Sequence, residues 1–212
     1  FVRYIRELAS ARRSEPRSDL LSALVAAEAD GDRFTEDELV GMVFLLTVAG
    51  HETTVGLLSN ALLALIRNPE QKDRLVEQPE MIDTAVEEFL RYDGPLATTE
   101  ISFARTDIEL HGVLIPQGAT VLPAILSANR DEAAFSNADQ LDLARSPNKH
   151  LAFGHGIHYC LGAPLARLEA RSAISLLLDR FPNLELAEPN TAVEYRKMFI
   201  THRPERLLVK MG

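Results

Sequence analysis

The stretch from Thr35 to Arg67 limits what this chain can fold into more than any other feature. Thr35 and Glu38 form a capping box, in which each residue's side chain satisfies the other's backbone N–H, so a helix is predicted to start there. Asn68-Pro69 ends it, because proline cannot continue a helix and disfavours helical geometry in the residue before it. At 1.5 Å per residue such a helix is roughly 50 Å long, enough to cross a whole domain. It is apolar nearly all round, which predicts burial. A membrane span is the competing reading. His51 and Glu52 at its centre argue against it, because charge is costly there.

That centre reads A-G-H-E-T-T, Ala49 to Thr54. Ala49 and Gly50 remove bulk where a ligand could approach closely. Glu52 and Thr53 place an acid beside a hydroxyl within an apolar helix. A threonine there can bond back to a carbonyl and bend the helix, so a water-exposed kink is the plainer alternative. A zinc protease is excluded, since H-E-x-x-H needs a second histidine at position 55 and Val55 stands there.

The rest of the chain predicts mostly helix around a small β region. Helices are expected over residues 1–13, over 19–30 with Ser18 as cap and Gly31 as stop, and over 79–92. In the last, Glu88 and Arg91 lie three apart on one face, and a weak surface ion pair is the bland reading. Short strands are expected over 101–103, 108–110, 113–115 and 121–122, with His111-Gly112 as a tight turn. A helical turn over 124–129 precedes an irregular segment to about His150, and a loop of that length is usually functional or held by specific contacts. The 212 residues carry a formal charge of −9, which argues against a nucleic-acid surface. The single cysteine allows no internal disulfide and suits a reducing cytosol. The chain opens with Phe1 inside a helical pattern, so a preceding region is expected.

That cysteine, Cys160, lies in F-G-H-G-I-H-Y-C-L-G, Phe153 to Gly162, ahead of an amphipathic run to Phe181. A lone cysteine is most often an inert buried hydrophobe. It could also be a nucleophile with His158 as base. It makes a poor zinc site, because no second cysteine exists. The loop favours a haem ligand: its glycines let backbone N–H groups turn towards the sulfur, and the following helix start favours thiolate.

Phe153–Gly162 resembles the haem-binding signature of the cytochrome P450 family. Ala49–Thr54 resembles that family's oxygen-activation motif, Glu88–Arg91 its E-x-x-R pair, and Ala128–Asp131 through Arg145 the segment leading to the haem loop. The resemblance implies a mainly α fold with small β regions: the long central helix, the E-x-x-R helix, a β region, and the cysteine loop with its following helix. It further implies haem b, with Cys160 as the metal ligand and Phe153, Gly154, His158, Gly162 and Ala49 around the cofactor. Glu52 and Thr53 would relay protons to dioxygen. Glu88, Arg91 and Arg145 would form a buried network that holds the loop. Ala49, Gly50, Thr53, Leu96, Ala97, Thr98, Met198 and Phe199 would line the substrate pocket.

The expected activity is insertion of one oxygen atom into an apolar small molecule, in secondary metabolism. Electrons would come from NAD(P)H through a ferredoxin or flavodoxin and its reductase. The expected location is cytoplasmic, with no nucleic-acid or membrane partner. A peroxide-driven enzyme and a catalytically silent scaffold are the alternatives. The whole chain, 1–212, corresponds to the C-terminal, haem-binding part of such a domain, with the N-terminal half absent, and alone it would expose much of helix 39–66. Ser102 departs from the family pattern where a propionate-binding arginine is usual. Arg105 is out of that register and is expected on the opposite strand face. Ala138 and Leu141 replace the usual proline and phenylalanine.

Overall fold

The computed structural model describes residues 1–29, 32–99 and 101–211. It forms two compact units, Phe1–His51 and Glu52–Gly212.

In the first unit, α1 (Val2–Ser14) and α2 (Leu20–Ala26) pack together, with Ile5 and Ala9 of α1 buried. The cap of α2 is Asp19 and not Ser18: its carboxylate accepts the Ser22 N–H at 2.7 Å. The helix also stops earlier than expected. Ala27 turns extended, and β1 (Glu28–Ala29) pairs with β2 (Asp32–Arg33) in an antiparallel ladder. The expected stop at Gly31 lies outside the described residues.

Helix α3 (Glu36–Arg67) follows the expected bounds. Glu38 Oε2 accepts the Thr35 N–H at 2.8 Å, and Thr35 Oγ1 accepts the Glu38 N–H at 3.3 Å, so the capping box forms. Burial fails over the helix's first half, and the exposure expected of this chain alone is found there. Leu39 is buried, but Phe44, Leu45 and Val48 are more than half or about half exposed, at 55%, 58% and 50%. Two short helices and a two-residue hairpin are too little structure to cover an apolar helix on every side.

The second unit holds the core. There α3 contributes Leu57, Ala61, Ala64 and Leu65, which pack with Ala85, Val86, Phe89 and Leu90 of α5 (Ile82–Asp93). Ala170, Ile174 and Leu178 of α7 (Ala163–Arg180) complete that core. By length and composition α3 could cross a bilayer, yet its second half is the centre of this protein core. Asn68-Pro69 ends α3 and starts α4 (Pro69–Glu77) at once, with proline in the first turn, where its missing N–H costs nothing. A 3₁₀ turn over Pro79–Met81 leads into α5.

The β region is small. β3 (Ser102–Phe103) pairs with β6 (Thr120–Val121), and β4 (Ile108–Leu110) pairs with β5 (Val113–Ile115), all antiparallel. His111 and Gly112 both adopt positive φ, 51° and 77°, the geometry of a two-residue hairpin turn. The short α6 (Ile125–Ala128) follows, and β7 (Glu185–Leu186) pairs with β8 (Val209–Lys210) near the end. Between β7 and β8 a further hairpin brings Tyr195 opposite Pro204. Its tip lies along 96–98: Ala97 N–H donates to the Ile200 carbonyl at 2.8 Å, and Leu96 bridges Thr201.

Buried Asn60 ties these parts together. Its Nδ2 donates to the carbonyls of Asp93 and His202, both at 2.9 Å. Four residues earlier, Gly56 lets α3 approach the same region, because a Cβ there would stand 2.9 Å from the Pro95 Cβ. Gly56→Val is therefore expected to lower stability by about 1–3 kcal/mol, the range for extra volume forced into a packed core. The measure is a fall in urea midpoint at constant slope; an unchanged midpoint would mean that α3 and Pro95 can separate without loss.

Candidate functional site

The cysteine loop is closed by its own backbone. Cys160 N–H donates to the Phe153 carbonyl at 2.9 Å, Gly154 N–H to Leu151 at 2.9 Å and Tyr159 N–H to Gly156 at 3.1 Å. Gly154 and Gly156 hold φ of 73° and 74°, a region costly for residues with a Cβ. The loop thus needs glycine at those two positions to present residue 160. Cys160 is exposed, and α7 starts three residues later with proline in its first turn. A side-chain carbon at Gly162 would reach 3.8 Å from the Cys160 sulfur, so glycine leaves that flank open. Leu161 and Ile157 are 85% and 97% exposed. The thiol therefore sits among uncovered apolar side chains at a helix N-terminus, and is not an inert core residue. His158 ends the 3₁₀ turn Gly156–His158 and is exposed, as is His155.

Beneath the loop lies a closed charge network. Arg91 Nε and Nη2 each donate to Glu88 at 2.8 Å, and neither side chain has any exposure. Arg145 Nε donates to the same carboxylate at 3.1 Å, Asn148 Nδ2 at 3.1 Å and the Asp142 N–H at 2.9 Å. Arg91 spends its remaining donors on the carbonyls of Asn129, Ala138 and Gln140, at 3.0, 2.7 and 3.0 Å. Arg145 Nη1 donates to the Ser136 carbonyl at 2.8 Å. The surface-pair reading of Glu88 and Arg91 fails, because both are buried and every acceptor position of Glu88 is used. The irregular segment 129–150 takes its shape from these donors.

A second brace was not foreseen from the sequence. Glu87 takes Arg167 Nε at 2.6 Å and Nη2 at 2.9 Å, and contacts His150 Nε2 at 3.0 Å. Arg167 stacks over the Phe153 ring at 4.5 Å and donates to Tyr159 Oη at 3.3 Å. Burial opposes the Glu87 charge, but hydrogen bonds and charge from Arg167 and His150 outweigh it and bring the carboxyl down to about 2. The available signal was the adjacent pair Glu87-Glu88. Neighbours on a helix point about 100° apart, so one carboxylate can serve the network and the other the loop's base.

On α3, Glu52 and Thr53 are both partly buried, and the helix runs through them without a break. Glu52 is clasped by two arginines of the C-terminal hairpin: Arg203 Nη2 donates to its two oxygens at 3.1 and 3.3 Å, and Arg196 Nη1 at 3.3 Å. Thr54 Oγ1 donates to Glu169 of α7 at 3.0 Å, joining the motif helix to the helix that follows the cysteine. Ala49 and Gly50 are exposed residues of α3 in the first unit. Of the predicted pocket residues, Leu96, Ala97 and Thr98 lie beside the hairpin tip, where Met198 and Phe199 are 53% and 65% exposed. Ser102 pairs with Val121. Arg105 is exposed but lies beyond the end of β3, so strand alternation does not decide its direction. Ala138 and Leu141 are buried packing positions.

A family model described as Cytochrome P450 matches residues 1–210. The polyketide biosynthesis cytochrome P450 PksS of Bacillus subtilis is 46% identical over 212 residues, which are 100% of this chain and 52% of that protein. Its solved structure superposes with a TM-score of 0.95 over 100% of this chain and 55% of the other. The vitamin D(3) 25-hydroxylase of Pseudonocardia autotrophica is 44% identical over 210 residues, 99% of this chain and 52% of that protein. P450BioI, solved in complex with an acyl carrier protein ligated to hexadec-9Z-enoic acid, matches at 45% identity and a TM-score of 0.91, covering 100% of this chain and 53% of its own. The chain spans about half the length of the curated relatives it matches.

Both braces can be tested by stability. Arg91→Ala leaves Glu88 buried without its bidentate partner and is expected to cost about 3–5 kcal/mol, read as a lowered urea midpoint; a loss under about 1 kcal/mol would return the pair to the surface class. Glu87 behaves differently with pH. Its carboxyl lies at about 2 instead of the ordinary 4.5, so its contribution is complete above 4.5 and is lost as pH falls towards about 2. Glu87→Gln is expected to lower the melting temperature at pH 7, and the gap to the unchanged protein should close as pH falls below 4.5. A gap that stays constant with pH would remove the charge from the explanation.

Proposed function

The chain belongs to the cytochrome P450 family, whose prosthetic group is haem b, and on that premise we propose that it carries the haem-thiolate half of a monooxygenase acting on an apolar small molecule. The donor set fits the cofactor. Cys160 is the single thiol, it is exposed, and it stands at the N-terminus of α7 with Leu161 and Ile157 uncovered beside it. A large apolar ring system that binds a thiolate would cover such a surface, and the helix terminus favours the deprotonated sulfur. This exposed thiol on a rigid glycine loop is the observation that carries the reading.

When bound, haem supplies reductive activation of dioxygen and transfer of one oxygen atom. The protein's own part is positional. Cys160 would hold the metal, and the loop's internal hydrogen bonds hold the backbone that presents it. The networks around Glu88 and Glu87 keep that loop from relaxing when the cofactor's charge and bulk are added. Glu52 and Thr53 supply an acid and an alcohol that can pass a proton inward while bulk water stays out. His158 and Gly154 serve the cofactor's edge and the loop turn. Leu96–Thr98 with Met198–Phe199 offer an apolar surface to substrate.

Substrates of the matched relatives point to a class. Their names specify polyketide biosynthesis and vitamin D(3), and one structure holds a carrier-linked C16 acid. A large apolar skeleton of that kind is the proposed substrate class, with electrons from NAD(P)H through a ferredoxin or flavodoxin and its reductase, in the cytoplasm.

The test is spectroscopic. The complete gene product, reduced and treated with carbon monoxide, is expected to show the red-shifted Soret band of thiolate ligation, and Cys160→Ala to lose it. A normal haem-imidazole band in the unchanged protein would end the proposal. Thr53→Ala is expected to keep the band and to divert reducing equivalents to peroxide; an unchanged ratio of product to NAD(P)H would take Thr53 out of proton delivery.

A further inference from the structure

Tyr159, the residue before Cys160, is held by a side chain of α7. Arg167 Nη1 donates to its Oη at 3.3 Å, and the same guanidinium stacks over the Phe153 ring at 4.5 Å. Phe153 in turn accepts the Cys160 N–H through its carbonyl, and the Phe153 and Tyr159 rings stand 6.3 Å apart, tilted by 59°. One cation therefore touches both aromatic residues that border the thiol: its neighbour in sequence and the residue bonded to its backbone. Tyr159 is 50% exposed, so its contact with Arg167 is not a matter of filling the core.

The rest of the Arg167 fork is fixed by Glu87, which accepts from Nε at 2.6 Å and Nη2 at 2.9 Å. A bidentate pair of this kind sets the direction of the guanidinium as well as its position. Glu87 is itself held: Ala152 N–H donates to His150 Nδ1 at 3.2 Å, which leaves Nε2 to donate to Glu87 at 3.0 Å. Arginine stays ionised in proteins, and Glu87, with its carboxyl at about 2, is ionised at neutral pH as well. The pair is thus a full cation and a full anion set in order. The guanidinium adjoins Phe153 and Tyr159, and the carboxylate stands behind it on α5, so the positive end faces the cysteine loop.

One-electron reduction of a thiolate-bound iron adds a negative charge to the iron–sulfur unit. A nearby cation favours that step and a nearby anion opposes it. The nearer charge weighs more, so a pair ordered in this way favours the reduced form. Both side chains keep 29% of their surface exposed, which weakens the effect without removing it. The same two helices repeat the contact one turn away, where Arg171 Nη1 donates to Asp83 at 2.8 Å. That pair is more exposed, at 41% and 69%, and lies roughly 6 Å farther along α7 from the aromatic residues.

We propose that Arg167 is a positioning residue for Cys160, and that the ordered Glu87–Arg167 pair makes the thiolate-bound iron readier to accept an electron. This deepens the proposed function and rests on it. Tyr159 and Phe153 supply the orientation: the ring hydroxyl and the ring face keep the guanidinium on the loop side of the pair. Glu87 anchors the guanidinium from behind and moderates its field. The electron itself comes from the ferredoxin or flavodoxin donor, and neither Arg167 nor Glu87 changes its own proton.

A spectroelectrochemical titration of the complete, haem-loaded protein tests this, with dithionite as reductant and the haem absorbance as readout. At a fixed potential Arg167→Gln is expected to raise the ferric-to-ferrous ratio and Glu87→Gln to lower it. Each change should be on the order of fivefold, the scale of a partly exposed unit charge roughly 10 Å away. Arg167→Lys keeps the charge and should restore most of the ratio. Tyr159→Phe should move it the same way as Arg167→Gln, but less. Arg171→Gln, farther away and more exposed, should leave it within about twofold. Loosening of the loop alone would move the Arg167→Gln and Glu87→Gln ratios in one direction. Shifts of one sign therefore overturn the proposal, as do shifts under about twofold in every variant, or an equal shift with Arg171→Gln. If Arg167→Gln does not take up haem, Glu87→Gln and Tyr159→Phe decide: opposite signs support the proposal and one sign overturns it. In those cases the thiolate band remains and only this proposal fails; if the band is missing from the unchanged protein, the proposed function fails with it.

Discussion

The buried carboxylate of Glu88 is the interaction on which the rest of the site depends. Burying one carboxylate and one guanidinium is unfavourable unless every donor and acceptor is used. Here each is. Glu88 collects Arg91, Arg145, Asn148 and the Asp142 N–H, and the unused donors of the two arginines are spent on carbonyls of the segment 129–140. A segment without regular secondary structure has no ladder to satisfy its carbonyls, so these side chains do that work. The network and the irregular segment explain each other: remove the charges and the carbonyls are orphaned; remove the segment and the charges are.

The same economy of opposed faces recurs on α5. Glu88 faces inward to the network, while Glu87 reaches Arg167 and His150 and so supports Phe153, the first residue of the cysteine loop. One helix turn thereby fixes both ends of the path that leads to Cys160. The loop's outer surface carries the exposed side chains of Ile157, His158 and Leu161.

Much of this was legible in the sequence because it follows from local rules. The capping box of Thr35 and Glu38, the Asn68-Pro69 stop and the His111-Gly112 turn each depend on a few adjacent residues, and each took the expected form. The motif resemblance supplied the long-range link among Glu88, Arg91 and Arg145. What stayed hidden required knowing which distant chain comes near. Nothing in the spacing of Arg196 and Arg203 pointed to Glu52, and nothing around Arg167 pointed to Glu87. The α2 cap was misplaced by one residue because Ser18 and Asp19 are both good caps, and only the 2.7 Å contact to Ser22 distinguishes them. The burial expected along α3 failed over its first half because periodicity reports which residues are apolar, and not whether a partner is present to cover them.

Glu52 shows why a motif and its geometry have to be read together. As sequence it is an acid beside an alcohol, which reads as a proton donor waiting in a dry pocket. In the structure it is a carboxylate clasped by the guanidinium groups of Arg203 and Arg196. The contrast with Glu88 is one of exposure: the Glu88 side chain has none, while Glu52 keeps 27% and Arg196 45%.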